Sequence, residues 1–223
     1  DIPGAIAAAY EVASTGRPGP VLVDITKDAQ EAEFDFVWDS RVDLVGYRPI
    51  AKANSKQIQA AAELISAAQR PVFYIGGGVG RAGASAELLQ LAELVGAPVV
   101  TTLMARGVFP DSHLQHLGMP GMHGTVPAVL SLQESDLLIT IGARFDDRVT
   151  GKTALFAPDA KVIHADIDPA EIGKIRAADV PIVGDAAEVI SDLIAAVSTL
   201  KTSTQFADLA PWWERLHLLQ ERY

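Results

Sequence analysis

The sequence predicts an α/β fold, a doubly wound and mostly parallel sheet with helices on both faces. Between residues 55 and 200, short apolar runs alternate with segments whose apolar residues recur at helical spacing. The apolar runs are continuous rather than alternating, which is typical of strands buried on both sides. Strands separated by helices imply right-handed crossovers, and therefore neighbouring strands that run parallel.

The elements follow one another along residues 55–200. We predict helices over 55–68, 85–95, 126–133 and 186–200, and strands over 72–75, 98–102, 136–141, 161–167 and 181–183. Ser55 is the expected N-cap of the first helix, Pro71 ends it, and Gly96 ends the second. Residues 103–124 are predicted to form one long loop, which is uncommon in a compact domain unless it is functional.

The two ends of the chain fit this domain less well. In residues 1–34 a helix over 5–14 precedes the apolar run 21–25, which is of buried-strand type. One helix and one strand cannot bury their own faces, so we expect the body of a preceding domain outside the chain. Residues 35–54 have no steady period and are typical of a linker. Residues 201–223 hold a polar linker and a helix with Trp212 and Trp213, for which we expect a partner surface outside the chain.

Composition excludes several classes of protein. The 223 residues are 49% hydrophobic, with no apolar run of the roughly 20 residues that would cross a membrane and no secretion signal. The absence of Cys excludes disulfides and thiolate metal sites and is compatible with a reducing compartment. The net charge of −10, without a basic stripe, argues against nucleic acid. We expect a cytoplasmic protein that handles small molecules.

Glycines and acids follow the predicted strands, where ligands bind in doubly wound folds. Three glycines, 76–78, follow the first strand and would let a phosphate or ribose approach the backbone. A plain tight turn fits them equally well, and Arg81 stands where GxGxxG needs its third glycine. Gly142 and the charged run 144–148 follow another strand, with a solvated charge cluster as the alternative.

Acidic residues and a loop complete this pattern. Asp166 and Asp168 lie at the end of a strand and just past it, where an acid accepts ribose hydroxyls, although Asp168 before Pro169 is also suited to start a turn. In the loop 118–124, Met and His side chains suit a flat aromatic ligand such as a flavin ring. We do not expect His123 to bind a metal, since no second His or Cys stands at ligand spacing. Together these features predict a dinucleotide site.

Four segments make the comparison specific. Residues 17–28, 121–125, 142–152 and 165–174 resemble the catalytic subunit of acetolactate synthase (acetohydroxyacid synthase), most specifically in Arg-Phe-Asp-Asp-Arg-Val-Thr-Gly over 144–151. The resemblance covers nearly the whole chain, in order. It implies part of a thiamine diphosphate-dependent transferase that, with Mg²⁺, joins pyruvate to pyruvate or 2-ketobutyrate in branched-chain amino-acid biosynthesis.

The resemblance also implies domain boundaries. Residues 1–34 would be the tail of a pyrimidine-binding domain, 35–54 a linker, and 55–200 a Rossmann-like central domain that holds FAD as a structural element. Residues 201–223 would be a linker and the first helix of a pyrophosphate-binding domain. The catalytic glutamate and the thiamine diphosphate and Mg²⁺ sites would lie outside this chain. The resemblance therefore implies no catalytic or metal residue here, and no activity of the chain alone.

Site residues are implied position by position. The FAD contacts would be Arg41, Gly76, Gly77, Gly78, Thr102, Leu103, Met104, Met122, His123, Gly124, Gly142, Ala143, Arg144, Asp146, Asp166, Ile167, Gly184 and Asp185. Arg41 fits only after a shift of register, and the family's Leu-Pro-Gly-Tyr is Leu-Val-Gly-Tyr at 44–47. Arg148 would pair with the carboxylate of the second ketoacid. Asp147, Met122, His123 and Lys52 would line the substrate channel.

Partners and alternatives follow from the same comparison. Expected partners are the flanking domains of the same subunit, a homodimer partner and, as an option, a small regulatory subunit. Another FAD-containing enzyme of this plan, such as glyoxylate carboligase or pyruvate oxidase, is the nearest alternative, against which the context of Arg148 argues. A stand-alone nucleotide-binding module is opposed by the unpartnered ends of the chain, and an NAD dehydrogenase by the missing third glycine.

Overall fold

The computed structural model describes residues 1–36, 42 and 44–223. Arg41, one of the predicted FAD residues, lies outside the described residues. The chain divides into two compact units, Asp1–Ile50 and Ala51–Tyr223. The second unit holds the sheet and the candidate site, and each unit is described by itself.

The first unit is small and has little core. It contains α1 (Ile2–Ser14), which buries none of its residues, and α2 (Lys27–Glu31). The prediction of a strand over 21–25 is wrong: this stretch has no regular structure, and Leu22 is 91% exposed. A strand exists only where a neighbour satisfies its N–H and C=O groups, and no described residue of this unit supplies one.

The second unit is built on one six-stranded sheet in which every pairing is parallel. The strands are β1 (Pro71–Ile75), β2 (Val99–Thr101), β3 (His116–Gly118), β4 (Leu137–Ile141), β5 (Lys161–Asp166) and β6 (Val180–Val183). Their order is β3-β2-β1-β4-β5-β6. The chain winds outward from the centre in both directions, so the topology switches between β1 and β4. The predicted doubly wound parallel fold is confirmed.

Helices cover both faces of this sheet. They are α3 (Ser55–Ala67), α4 (Gly77–Arg81), α5 (Ser85–Val95), α6 (Val126–Glu134), α7 (Asp147–Thr150), α8 (Ala186–Lys201) and α9 (Ala210–Arg222). One apolar cluster joins the sheet to α3, α5 and α8, and a second joins its other face to α6 and α9. The N-cap of α3 is Asn54 rather than the predicted Ser55, because Asn54 Oδ1 accepts the Lys56 N–H at 2.9 Å.

The predicted loop over 103–124 contains an edge strand, so this prediction is wrong in part. After a 3₁₀ turn at Leu103–Ala105, the segment adds β3 to the sheet beside β2. Only Leu117 of β3 is buried, which leaves no apolar run in the sequence to reveal it. His116 fixes this edge, since its ring lies between Thr101 Oγ1 (Nε2 at 3.0 Å) and Asp111 Oδ1 (Nδ1 at 3.3 Å).

The C-terminal helix α9 belongs to the packing of the second unit. Trp212 is 2% exposed and donates its Nε1–H to the Pro71 carbonyl at 3.2 Å, while Trp213 donates to the Gly96 carbonyl at 2.8 Å. The expectation of a partner surface outside the chain is therefore wrong for Trp212. The assignment of α9 to a following domain stays a prediction. No helix in the described part of the chain combines the length and apolarity needed to span a bilayer.

Candidate cofactor site at the switch point

A cavity of about 490 Å³ opens at the carboxyl ends of β1, β2 and β4, where the topology switches. This is the place at which doubly wound sheets bind their ligands, and the volume is ordinary for a ligand site. Its lining is Tyr74, Gly76, Gly77, Thr102, Leu103, Met104, Met119, Pro120, Gly121, Met122, His123, Gly142, Ala143, Arg144, Asp146, Arg148 and Val149.

The floor of the cavity is a contact between two backbones. A Cβ on Gly76 would lie 1.9 Å from the Gly142 carbonyl oxygen, and one on Gly142 would lie 2.7 Å from the Gly78 Cα. Gly142 also has φ +62°, a conformation that favours glycine. These glycines therefore let the loops after β1 and β4 touch across the switch point, a requirement separate from any approach of a ligand.

One wall is apolar and open. Leu103, Met104 and Met122 are 70%, 75% and 86% exposed, although their side chains are among the most apolar in the chain. The first two are held in place because the Thr102 N–H donates to the Ile75 carbonyl at 2.8 Å. Exposed apolar side chains grouped around a cavity mark a surface that binds an apolar or aromatic group.

The opposite wall is charged. Asp146 caps α7, and its Oδ1 accepts both the backbone N–H and the Nη1–H of Arg148, each at 3.1 Å. Asp147 Oδ1 accepts from the same Nη1 at 3.0 Å. The pKa of the Asp146 carboxyl is held below its usual range, mainly by the hydrogen bond from the Arg148 backbone N–H and next by the one from the Arg148 guanidinium. Arg148 is thus oriented by two carboxylates, while its Nε and Nη2 have no partner among the described residues.

The charged wall rests on a strained turn. Phe145 has φ +55°, an unusual conformation for a bulky residue that costs about 1–3 kcal/mol. Its buried ring packs against Tyr74 and His164, with centroids 5.6 and 5.2 Å away. Ala143 and Phe145 are buried in the core. The charged side chains of Arg144, which lies between them, and of Asp146, which follows Phe145, line the cavity.

A second cavity, of about 510 Å³, lies on the other side of Arg148 and Met122. The α6 residues Val129 and Leu132, the exposed Leu155 and Lys152 contribute to its lining, with Asp147. Arg148 lines both cavities, so its side chain stands between them.

The structure brings most of the predicted residues together. Twelve of those implied by the resemblance line the first cavity: Gly76, Gly77, Thr102, Leu103, Met104, Met122, His123, Gly142, Ala143, Arg144, Asp146 and Arg148. Asp147 lines the second cavity only. Gly78 contacts Gly142 behind the floor, and Gly124 packs its Cα against the Met119 backbone.

The other predicted residues lie further along the same edge of the sheet. Asp166 ends β5 and accepts the Asp168 N–H at 2.9 Å, with Ile167 between them. Asp185 caps α8 after β6, and Gly184 packs against the backbone on either side of Lys52. Since adjacent strands are about 4.8 Å apart, these groups would be reached only by a ligand that extends across several strand ends.

Some lining residues were not predicted. They are Tyr74, Pro120, Gly121 and Val149, whereas Met119, which also lines the cavity, belongs to the loop whose Met side chains were expected to contact a ligand. Burial raises the pKa of the Tyr74 phenol, and the Asp146 charge adds to the effect. Tyr74 was not predicted because it lies inside an otherwise apolar strand, whereas Pro120 and Gly121 lie in the loop whose Met and His side chains were predicted to contact a ligand. Within the described ranges, no cluster of His, Cys, Asp and Glu is arranged to hold a metal ion.

The fold and this cavity define a doubly wound α/β domain with a ligand-sized cavity at its switch point, and comparison gives the family. A model described as "Thiamine pyrophosphate enzyme, central domain" matches residues 58–193, and the chain belongs to that family. The chain is similar to the acetolactate synthase large subunit of Corynebacterium glutamicum (59% identical over 100% of the chain) and to an acetolactate synthase of Mycobacterium bovis (58% over 100%). A probable acetolactate synthase large subunit of Methanocaldococcus jannaschii is 51% identical over 99% of the chain.

The chain covers 35%, 36% and 37% of the length of these three relatives. It therefore spans little more than a third of the proteins it matches. The resemblance noted in the sequence is confirmed.

Proposed function

We propose that this chain is the central, FAD-holding part of an acetolactate synthase, which joins pyruvate to pyruvate or 2-ketobutyrate. The observation that carries the proposal is the 58–59% identity, over the full chain, to acetolactate synthases of two organisms. Thiamine diphosphate and Mg²⁺ would serve the whole protein from outside this chain. The chain's own part would be to hold FAD and to form one wall of the substrate channel.

The residues at the cavity fit FAD. The apolar wall of Leu103, Met104 and Met122 suits the flavin ring, because thioethers pack well against aromatic faces. Carboxylates at the ends of β5 and β6, from Asp166 and Asp185, suit ribose hydroxyls. Arg144 supplies a positive charge beside the cavity for the diphosphate. When bound, FAD would act as a structural element with no net redox step.

Arg148 fits the proposed recognition of a 2-ketoacid. Its side chain is 79% exposed between the two cavities, and Asp146 and Asp147 orient it through Nη1 alone. The remaining N–H groups of the guanidinium are arranged as a fork that matches a carboxylate. Lys152 lines the second cavity only, which makes it a control of equal charge.

A chimera tests the proposal. The chain would replace the matching third of the C. glutamicum large subunit, and acetolactate formation and FAD retained through gel filtration would be measured. We expect both, with pyruvate preferred over glyoxylate as acceptor. A folded chimera that retains no FAD, or that makes no acetolactate, would contradict the proposal.

Two variants of the chimera locate the ketoacid site. Arg148→Gln should lower kcat/KM for the acceptor ketoacid by about 10- to 100-fold, the loss expected for a charge-assisted hydrogen bond. Lys152→Gln should leave this kcat/KM within about twofold, since the Lys152 side chain is exposed and lines only the second cavity. Equal effects of the two substitutions on kcat/KM would show that Arg148 does not recognise the carboxylate of the acceptor ketoacid.

We also propose that the whole protein is cytoplasmic and dimeric, with a small regulatory subunit as a further partner. The support is its similarity to large subunits of multidomain enzymes. Light scattering of the chimera, alone and with the C. glutamicum small subunit, would report both associations.

A further inference from the structure

Three polar side chains form a row across the middle of the sheet. Tyr74 pairs in register with Thr140, and Thr140 with His164. All three are at most 1% exposed, on the sheet face that carries α6 and α9. In the described part of the chain, Thr140 Oγ1 and His164 Nδ1 have no hydrogen-bond partner. Burying polar atoms without hydrogen-bond partners costs folding free energy, so we expect at least one of these side chains to have a functional role.

Among the described residues, the His164 ring makes one hydrogen bond, and that bond reaches the site. Its Nε2 lies 2.9 Å from the carbonyl oxygen of Ala143. A carbonyl only accepts, so Nε2 carries the proton and the ring, whose pKa is lowered by burial, is neutral with a bare Nδ1. A leucine would fill this space without leaving Nδ1 unsatisfied, so packing alone does not account for a histidine here.

The His164 ring also supports Phe145, two residues after Ala143. The Phe145 ring meets the His164 ring edge to face, at 5.2 Å and 84°. Phe145 is the residue held at φ +55°, and the surrounding structure must over-determine such a conformation for it to persist. His164 therefore holds the turn at two points, the carbonyl of Ala143 and the ring of Phe145, on either side of Arg144.

We infer that His164 is a positioning residue of the cofactor site: its Nε2–H clamps the strained turn 143–146 so that Arg144 and Asp146 face the ligand. The statement about the ligand rests on the proposed function, whereas the statement about the turn does not. His164 itself is absent from the lining of the cavity, so it acts through the turn.

Hydrogen exchange measures the turn without any ligand. The amides of Val149, Thr150 and Gly151 donate to the Asp146 and Asp147 carbonyls at 2.8–3.1 Å, so their exchange reports whether α7, which starts from the end of this turn, stays formed. In the full chain, His164→Leu should speed exchange of the peptide over 146–151 about tenfold, as loss of one buried hydrogen bond predicts. His164→Gln, which keeps an N–H donor, should restore it to within about threefold.

Two controls separate this effect from a general loss of stability. Val162→Ala lies on the same strand and face as His164 and should destabilise the whole domain without selective exchange at 146–151. Thr140→Val removes the neighbouring unpartnered hydroxyl and should leave the turn unchanged. Exchange in His164→Leu no faster than in Val162→Ala at matched global stability would overturn the inference, as would failure of His164→Gln to rescue it.

A titration of the chimera with FAD, followed by flavin fluorescence, addresses the ligand. His164→Leu should raise the Kd for FAD about tenfold while Val162→Ala leaves it unchanged, and His164→Gln should recover most of the affinity. Unequal Kd values in this order support the inference, and equal values for both variants overturn its ligand half. If the unsubstituted chimera binds no FAD at all, the FAD part of the proposed function fails, and hydrogen exchange still decides whether His164 positions the turn.

Discussion

Replacing Gly76 by Ala tests whether the loops after β1 and β4 must touch. Gly76 has φ −105° and ψ 174°, which any residue adopts, so the substitution carries no conformational penalty of its own. The added methyl group would lie 1.9 Å from the Gly142 oxygen, 2.4 Å from its carbonyl carbon and 2.6 Å from the Ala143 Cα. All three atoms are main chain, so no side-chain rotation can relieve the clash.

The expected loss of stability is large. Overpacking in a core costs about 1–3 kcal/mol when side chains can adjust. Here two loops must separate, so we expect about 4 kcal/mol or more. In a unit of this size each kcal/mol lowers the Tm by about 2–4 °C, which gives a fall of at least about 8–16 °C.

Thermal unfolding followed by circular dichroism measures this, with two further variants. Gly83→Ala places a residue at φ +67° with no atom within 4 Å, so it should cost only the roughly 1–2 kcal/mol of that conformation. Gly78→Ala, whose Cβ would lie 2.8 Å from the Gly142 Cα, should be milder than Gly76→Ala. A Tm for Gly76→Ala equal to or above that of Gly83→Ala would refute the reasoning.

Two further predictions concern stability. Burial lowers the pKa of His116 and His164, so the unfolded chain binds protons more readily. Their stabilisation is full above the unfolded pKa of about 6.5 and declines as the pH falls toward the lower folded values. Urea unfolding at a series of pH values should show this, and a constant free energy between about pH 7 and 5 would contradict it. Trp212→Ala should cost about 3–5 kcal/mol because its ring is buried between α9 and the sheet, whereas the half-exposed Leu218 of the same helix should tolerate Ala within about 0.5 kcal/mol. Similar losses for both would show that α9 does not complete this unit.

Sequence reasoning succeeds here where the signal is local. The runs ending at Ile75 and Ile141 are buried at every position, and apolar apart from Tyr74 and Thr140, because helices cover both sides of those strands. Gly96 ends α5 at φ +79°, as a residue without Cβ can. In contrast β3 was missed because it is three residues long with one buried side chain, and a pattern that short has no period.

The site depends on strand order, which no local pattern encodes. The glycines after β1 and β4 indicated the correct edge of the sheet, but their mutual contact exists only because β1 and β4 are neighbours. The bond from His164 to Ala143 likewise requires β5 to lie beside β4. The strand predicted at 21–25 failed for the same kind of reason, since pairing depends on a neighbour rather than on the run itself.

The backbone contact between Gly76 and Gly142 also sets limits for protein engineering. Since both partners are main chain, a change at one position cannot be compensated by a smaller residue at the other. Libraries that aim to alter ligand preference should therefore leave both glycines fixed. Such libraries should vary Leu103, Met104 and Met122 instead, because these side chains are exposed at the cavity and contribute little to the core of the domain.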